Sequence, residues 1–278
     1  MMDILDKTPL KADYRLPYAD GEFRFGDLYL PKLAAGAKAP VVVFFHGGWW
    51  QAEYDLGYAS FLCDALRKEG MAVWSVEYRR VGDAGGGWPG TFVDAALGFE
   101  FVRKLAETYP LDLARVVVAG HSAGGQLAMW VAGRQHVPEG SAVYEPRPGL
   151  AVHGVVSLAG AVDLRLLCDL AGYFEFAHCK RWVVSLMGGL PKDFPERYAA
   201  GNPGDLLPLG VPQWLVQGDE DEQIPPELPG RWAGNARRAH DVVDVEIVKG
   251  AGHFEVVDPE SAAWGVVKGK FRKACFGS

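Results

Sequence analysis

No two cysteines of this chain stand in a C-x-x-C pair. Cys63, Cys168, Cys179 and Cys275 are scattered over 278 residues, so neither a disulfide framework nor a zinc site is indicated. Free thiols in a reducing compartment are the expectation. His178 and Cys179 are neighbours, but two adjacent residues fall short of a metal's ligand set, and no metal is expected. There is no Lys/Arg tract either, and the formal net charge is −7. Nucleic acid and anionic membrane surfaces are therefore not expected partners. No apolar run is long enough to span a bilayer. The first residues, Met1 to Lys7, are mixed and charged and lack the apolar core of a secretory signal, which gives a cytoplasmic expectation. Internal repeats, low-complexity tracts and long linkers are also missing.

What the chain has is apolar residues, 49% of the total. That is enough for one large core, so residues 1–278 are read as a single α/β domain. Residues 12–30 form a hairpin around Asp20-Gly21. The continuous apolar run at 41–45 reads as a central strand buried on both faces, and the stretches 71–76, 115–119, 152–158, 213–217 and 242–248 read as further strands. Helices are expected at 58–68, at 91–108 capped by Thr91, from Ala123 onward, at 226–239 despite Pro229 and Gly230, and at 259–273. Strands alternating with helices imply a mostly parallel sheet covered on both faces. Residues 161–210 are the least regular part and the one candidate for a small lid insertion.

The run Arg115-Val-Val-Val-Ala-Gly-His-Ser-Ala-Gly-Gly-Gln reads as buried strand, abrupt turn, then helix. Its turn, Gly120-His121-Ser122-Ala123-Gly124, has the G-x-S-x-G pattern that exposes a serine hydroxyl on a sharp strand-to-helix turn. Gly120 and Gly124 allow strand and helix to pass closely. The start of the helix aims N–H groups at charge developing near Ser122.

Reactive groups of a parallel sheet gather at the carboxyl ends of its strands. His46-Gly-Gly-Trp49, Ser122, Gly218-Asp-Glu-Asp221 and Gly250-Ala-Gly-His253 all fall there. A serine hydroxyl needs a base, and the base needs a carboxylate. His253 is read as the base, between flexible glycines. His46 and His121 lie inside the two turns, where structural roles are more natural, and His136, His153, His178 and His240 lack a matching strand-end context. Asp221 is read as the acid. Asp219, Glu220 and Glu222 crowd the same loop and Asp163 follows another strand, but the order serine, acid, histidine favours Asp221. The N–H of Ala123, with that of Gly48 or Trp49, would form the oxyanion hole. Trp88, Tyr173, Phe174 and Trp182, with Phe176 and Trp49, are candidates to line an apolar pocket.

These residues resemble an α/β-hydrolase of the esterase/lipase type. His46-Gly-Gly-Trp-Trp50 is similar to the H-G-G-x-W motif of the kynurenine formamidase-like and related esterase group. Gly120-His-Ser-Ala-Gly-Gly125 resembles its nucleophile elbow. Gln217-Gly-Asp-Glu-Asp-Glu-Gln-Ile-Pro225 resembles its acid loop, and Gly252-His253-Phe254 its histidine loop. The resemblance covers roughly residues 20–275 and implies an eight-stranded, mostly parallel sheet and no cofactor. Gln217 departs from a common His-Gly pair, a change expected to matter little. The resemblance implies a carboxylesterase acting on a small ester through an acyl-enzyme. An arylformamidase cleaving N-formylkynurenine is the alternative. Peptidases of this kind usually carry a propeller domain for which this chain has no room, and a non-catalytic binding module would not need the intact serine, acid and base.

Overall fold

The computed structural model describes residues 4–147, 149–170 and 176–277. Eight strands form one sheet: β1 Tyr14–Pro17, β2 Phe25–Tyr29, β3 Ala39–Phe45, β4 Ala72–Val76, β5 Leu111–His121, β6 Gly154–Leu158, β7 Gln213–Gly218 and β8 Val243–Val248. Their spatial order is β1-β2-β4-β3-β5-β6-β7-β8. The β1/β2 and β2/β4 pairs are antiparallel, and every pair from β4 across to β8 is parallel. The helices are α1 Ser60–Lys68, α2 Gly90–Glu100, α3 Val102–Leu105, α4 Ala123–Gly133, α5 Leu164–Leu170, α6 Ala177–Met187, α7 Pro195–Gly201, α8 Leu228–Arg238 and α9 Trp264–Phe276.

The most apolar strands are the inner ones. Every residue of β3, β4, β6 and β7 is buried, whereas the edge strands β1 and β8 are partly exposed. Side chains alternate between two cores, as a pleated strand requires. Val41, Val43 and Phe45 point into the layer shared with α2 and α4. Val42 and Phe44 point into the layer shared with α1 and α9. Each fully buried side chain of this kind contributes about 1.5–3 kcal/mol.

Three local expectations need correction. The helix expected over 91–108 breaks at Phe101 into α2 and α3. Thr91 does not cap it: α2 starts after Pro89, and the Thr91 hydroxyl instead donates to the Arg79 carbonyl and accepts from Gly87 N–H. Residues 161–210 are not irregular where described, since α5, α6 and α7 lie there. Leu164, Leu167, Val183, Leu186 and Tyr198 from these helices join the same core as β3 and α4. Among the described residues no helix is long and apolar enough to cross a membrane.

Candidate active site

Because β3 through β8 run in parallel, the loops after β3, β5, β7 and β8 emerge at one edge of the sheet. Ser122 follows β5 directly and adopts φ 55°, ψ −121°. A non-glycine residue held in this region stores strain, which surrounding structure must enforce. That enforcement is visible: a Cβ at Gly120 would strike the Gly124 carbonyl, and a Cβ at Gly124 would strike the carbonyls of Phe45 and His46. The two glycines therefore let α4 sit against the ends of β3 and β5. Ser122 N–H donates to the Leu158 carbonyl at 2.9 Å, tying the turn to β6.

Asp221 lies three residues beyond the end of β7 and is buried. Its Oδ2 accepts from His253 Nδ1 at 2.7 Å, and its Oδ1 accepts from the N–H groups of Gln223 and Ile224 at 2.7 and 2.9 Å. Gln217 donates its side-chain amide to Oδ2 at 2.7 Å. Gln217, the departure expected to matter little, is thus a direct partner of the Asp221 carboxylate. Asp163 is elsewhere: its Oδ1 accepts from the N–H groups of Arg165 and Leu166 at the start of α5. Burial pushes the Asp163 carboxyl above its usual range. Asp219 accepts from Gly250 N–H, 2.6 Å away, and so fastens the acid loop to the histidine loop.

The loop after β3 wraps around Ser122. A Cβ added at Gly47 would lie 2.9 Å from the Ser122 Cβ. Gly48 has φ 104° and Trp49 φ 51°, so the chain turns sharply there. Among the described residues, the N–H groups of Gly48, Trp49 and Ala123 donate to no protein acceptor. His46 holds the base of this loop. Its Nδ1 lies 2.7 Å from the Gly47 carbonyl and its Nε2 2.8 Å from Glu77 Oε1. Tyr78 stacks on the ring at 4.5 Å and donates its hydroxyl to the His46 carbonyl. Burial alone would raise the Glu77 carboxyl, but His46 and Arg80 outweigh it and hold the group below its usual range.

The first turn of α6 reaches the same edge. His178 donates Nε2–H to the Gln223 carbonyl at 3.1 Å and meets the Trp49 ring edge-on, centroids 5.5 Å apart. Trp88 packs on Phe92, and Trp182 is half-buried with Arg181 over its ring; both rest against the main core. Tyr173 and Phe174 lie outside the described residues. A cavity of about 440 Å³ opens beside His253, lined by Glu220, Glu222, Gln223, Phe254 and Glu255 among others. Among the described residues no group of three or more His, Cys, Asp or Glu is placed to hold a metal. All four cysteines are free, and burial pushes the thiols of Cys63, Cys179 and Cys275 up to about 12.

Tyr58, whose hydroxyl accepts from Gly47 N–H at 2.7 Å, Glu77 and Gln217 are residues here to which the motifs gave no role. Gln217 alone had a signal, as a departure from a familiar pair. Tyr58 and Glu77 reach the site from α1's approach and the end of β4, and nothing in their local sequence marks them.

An eight-stranded, mostly parallel sheet, with a serine on a strained strand-to-helix turn and an Asp–His pair at the same edge, defines an α/β-hydrolase fold. Within that class the chain belongs to the BD-FAE family, which matches residues 26–229. It is 27% identical over 236 residues to a probable isoprenylcysteine alpha-carbonyl methylesterase, ICMEL1, of Arabidopsis thaliana, covering 83% of this chain and 48% of that protein. Esterase LipC of Mycobacterium tuberculosis is 26% identical over 251 residues, covering 88% of this chain and 60% of its own. The chain thus spans about half the length of these curated relatives. Among solved structures, esterase B from Lactobacillus Rhamnosis superposes with TM-score 0.76 at 20% identity, over 96% of this chain and 84% of that one. A truncated carbohydrate esterase from gut microbiota gives TM-score 0.77 at 21% identity, over 97% and 99%.

Proposed function

We propose that this chain is a serine hydrolase that cleaves small carboxylic esters through an acyl-enzyme. The observation that carries the reading is the 2.7 Å pairing of Asp221 with His253 at the sheet edge that bears Ser122 on its strained turn. Asp221 holds the Nδ1–H tautomer, which leaves Nε2 of His253 as the base. Ser122 gives its proton to that nitrogen and attacks the ester carbonyl. The N–H groups of Ala123 and of Gly48 or Trp49 stabilise the oxyanion, an effect worth about 3 kcal/mol per donor. His253 then protonates the departing alcohol, and water activated by the same imidazole releases the acid.

The matched relatives support ester cleavage through their names: a methylesterase, an esterase and a carbohydrate esterase. Ester cleavage is the element these names share. The segment 161–210 is proposed as one wall of the cleft, supported by the contacts of His178 with Trp49 and Gln223; Trp88, Tyr173, Phe174 and Trp182 remain candidates for its apolar lining. Formamide cleavage is the second reading, favoured by the His46-Gly-Gly-Trp-Trp50 motif.

The test is turnover of p-nitrophenyl acetate and of N-formylkynurenine by the wild type and by Ser122→Ala. Faster ester turnover, reduced roughly 10⁴-fold or more in the variant, is expected. Fast formamide cleavage with negligible ester turnover would reverse the ranking of the two readings. Undiminished activity in Ser122→Ala would remove the nucleophile.

A further inference from the structure

Three of the loops that meet at the site are joined by a line of hydrogen bonds that uses none of the proposed reacting groups. Gly47 N–H donates to the Tyr58 hydroxyl oxygen at 2.7 Å. The Tyr58 hydroxyl lies 2.7 Å from His121 Nδ1. His121 Nε2 lies 3.0 Å from the main-chain carbonyl of His253. The two ends fix every proton between them. A backbone N–H only donates and a carbonyl only accepts, so His121 Nε2 carries the hydrogen, Nδ1 accepts, and Tyr58 donates. The His121 ring is fully buried and Tyr58 nearly so. His121 also lies ring to ring with His253, centroids 4.6 Å apart.

We propose that Tyr58 and His121 are positioning residues for the hydrolysis. They hold the oxyanion loop, the serine turn and the histidine loop in one register. This rests on the ester-hydrolase reading given above. Two consequences follow from the geometry. Gly47 N–H is committed to Tyr58, so the turn offers the uncommitted N–H groups of Gly48 and Trp49 to the oxyanion instead. His253 is gripped twice, by Asp221 at its ring and by His121 at its backbone, so the imidazole is aimed from two sides. Burial first, and then the neighbouring His253, keep His121 well below the usual histidine range. It therefore stays neutral, with Nδ1 an acceptor, when His253 takes the proton from Ser122.

The test uses the full chain and two readouts, steady-state kinetics on p-nitrophenyl acetate and the rate at which a fluorophosphonate labels Ser122. Tyr58→Phe keeps the ring contacts with His121 and Phe254 and removes only the hydroxyl. It is expected to lower kcat and the labelling rate on the order of tenfold to hundredfold, with KM little changed, as for a small misplacement of reacting groups. His121→Asn places an acceptor near the Nδ1 position and His121→Gln a donor near Nε2. Each is expected to recover part of the activity lost in His121→Ala. The double variant Tyr58→Phe/His121→Ala should be no slower than His121→Ala alone, because both changes cut one line.

A folded Tyr58→Phe protein that keeps wild-type kcat and labelling rate, whatever its melting temperature, overturns the proposal alone. Fully additive losses in the double variant overturn it too. A wild type that neither labels nor turns over the ester overturns the hydrolase reading and this proposal with it.

Discussion

Four hydrogen bonds converge on the Asp221 carboxylate, from His253, Gln217 and the N–H groups of Gln223 and Ile224. They have three origins in the chain. Two come from the loop itself, one from the strand before it, and one from a loop 32 residues on. A hydrogen bond to a buried charged group is worth about 1.5–3 kcal/mol. Gln217→Met preserves length and removes the donor, so the urea-unfolding free energy should fall by about 2 kcal/mol. An unchanged midpoint would mean that the amide contributes nothing to the acid's setting. Ser122, Asp221 and His253 were legible in the sequence because each sits in a short motif whose spacing mirrors a local backbone need. Gln217 showed only as a departure from a familiar pair and Tyr58 not at all, because their contacts depend on which loop faces them after folding. Tyr58 and His121 are 63 positions apart in sequence, a separation that no local pattern encodes.

At the scale of elements, α4 shows how a helix is placed by what it lacks. Every residue of α4 is buried, and its first turn passes over the ends of β3 and β5 where Gly120 and Gly124 leave no side chain. The buried Gln126 amide is satisfied by Trp50 Nε1 and the Gly201 carbonyl, so the helix keeps a polar residue in its core at little cost. Gly269, in the middle of α9, meets nothing within 4 Å of an added Cβ. Alanine should therefore act in opposite directions at the two sites. Gly269→Ala should raise stability by up to about 1 kcal/mol. Gly124→Ala must move backbone carbonyls and should lower the melting temperature sharply and abolish activity. Equal effects of the two substitutions would contradict the close-approach account.

The largely apolar stretches gave the inner strands to within a few residues, since burial on both faces leaves few polar positions there. Residues 161–210 were harder. The buried positions of α6, Cys179, Val183, Leu186 and Met187, do follow a helical period. Glycines and prolines on either side break the pattern into pieces too short to stand out.

Across the whole molecule, the site is an outcome of topology. Ser122 and His253 are 131 positions apart by their numbers, and they reach one edge because the strands preceding them run in parallel within a single sheet. The hairpin expected over 12–30 is the antiparallel β1/β2 pair, whereas the strand order and the antiparallel β2/β4 pairing were beyond the sequence. The resemblance of the motifs supplied the fold class, and their strand-end positions supplied the convergence. Ser122 is proposed as the nucleophile that takes up the acyl group. Mixing the protein with p-nitrophenyl acetate, quenching in acid during the first turnover and mapping the peptides by mass spectrometry tests this directly. One acetyl group on the peptide carrying Ser122, missing from Ser122→Ala, is the predicted result. An unmodified Ser122 in protein that is turning over the ester, or acetyl carried stoichiometrically by another residue, would contradict it.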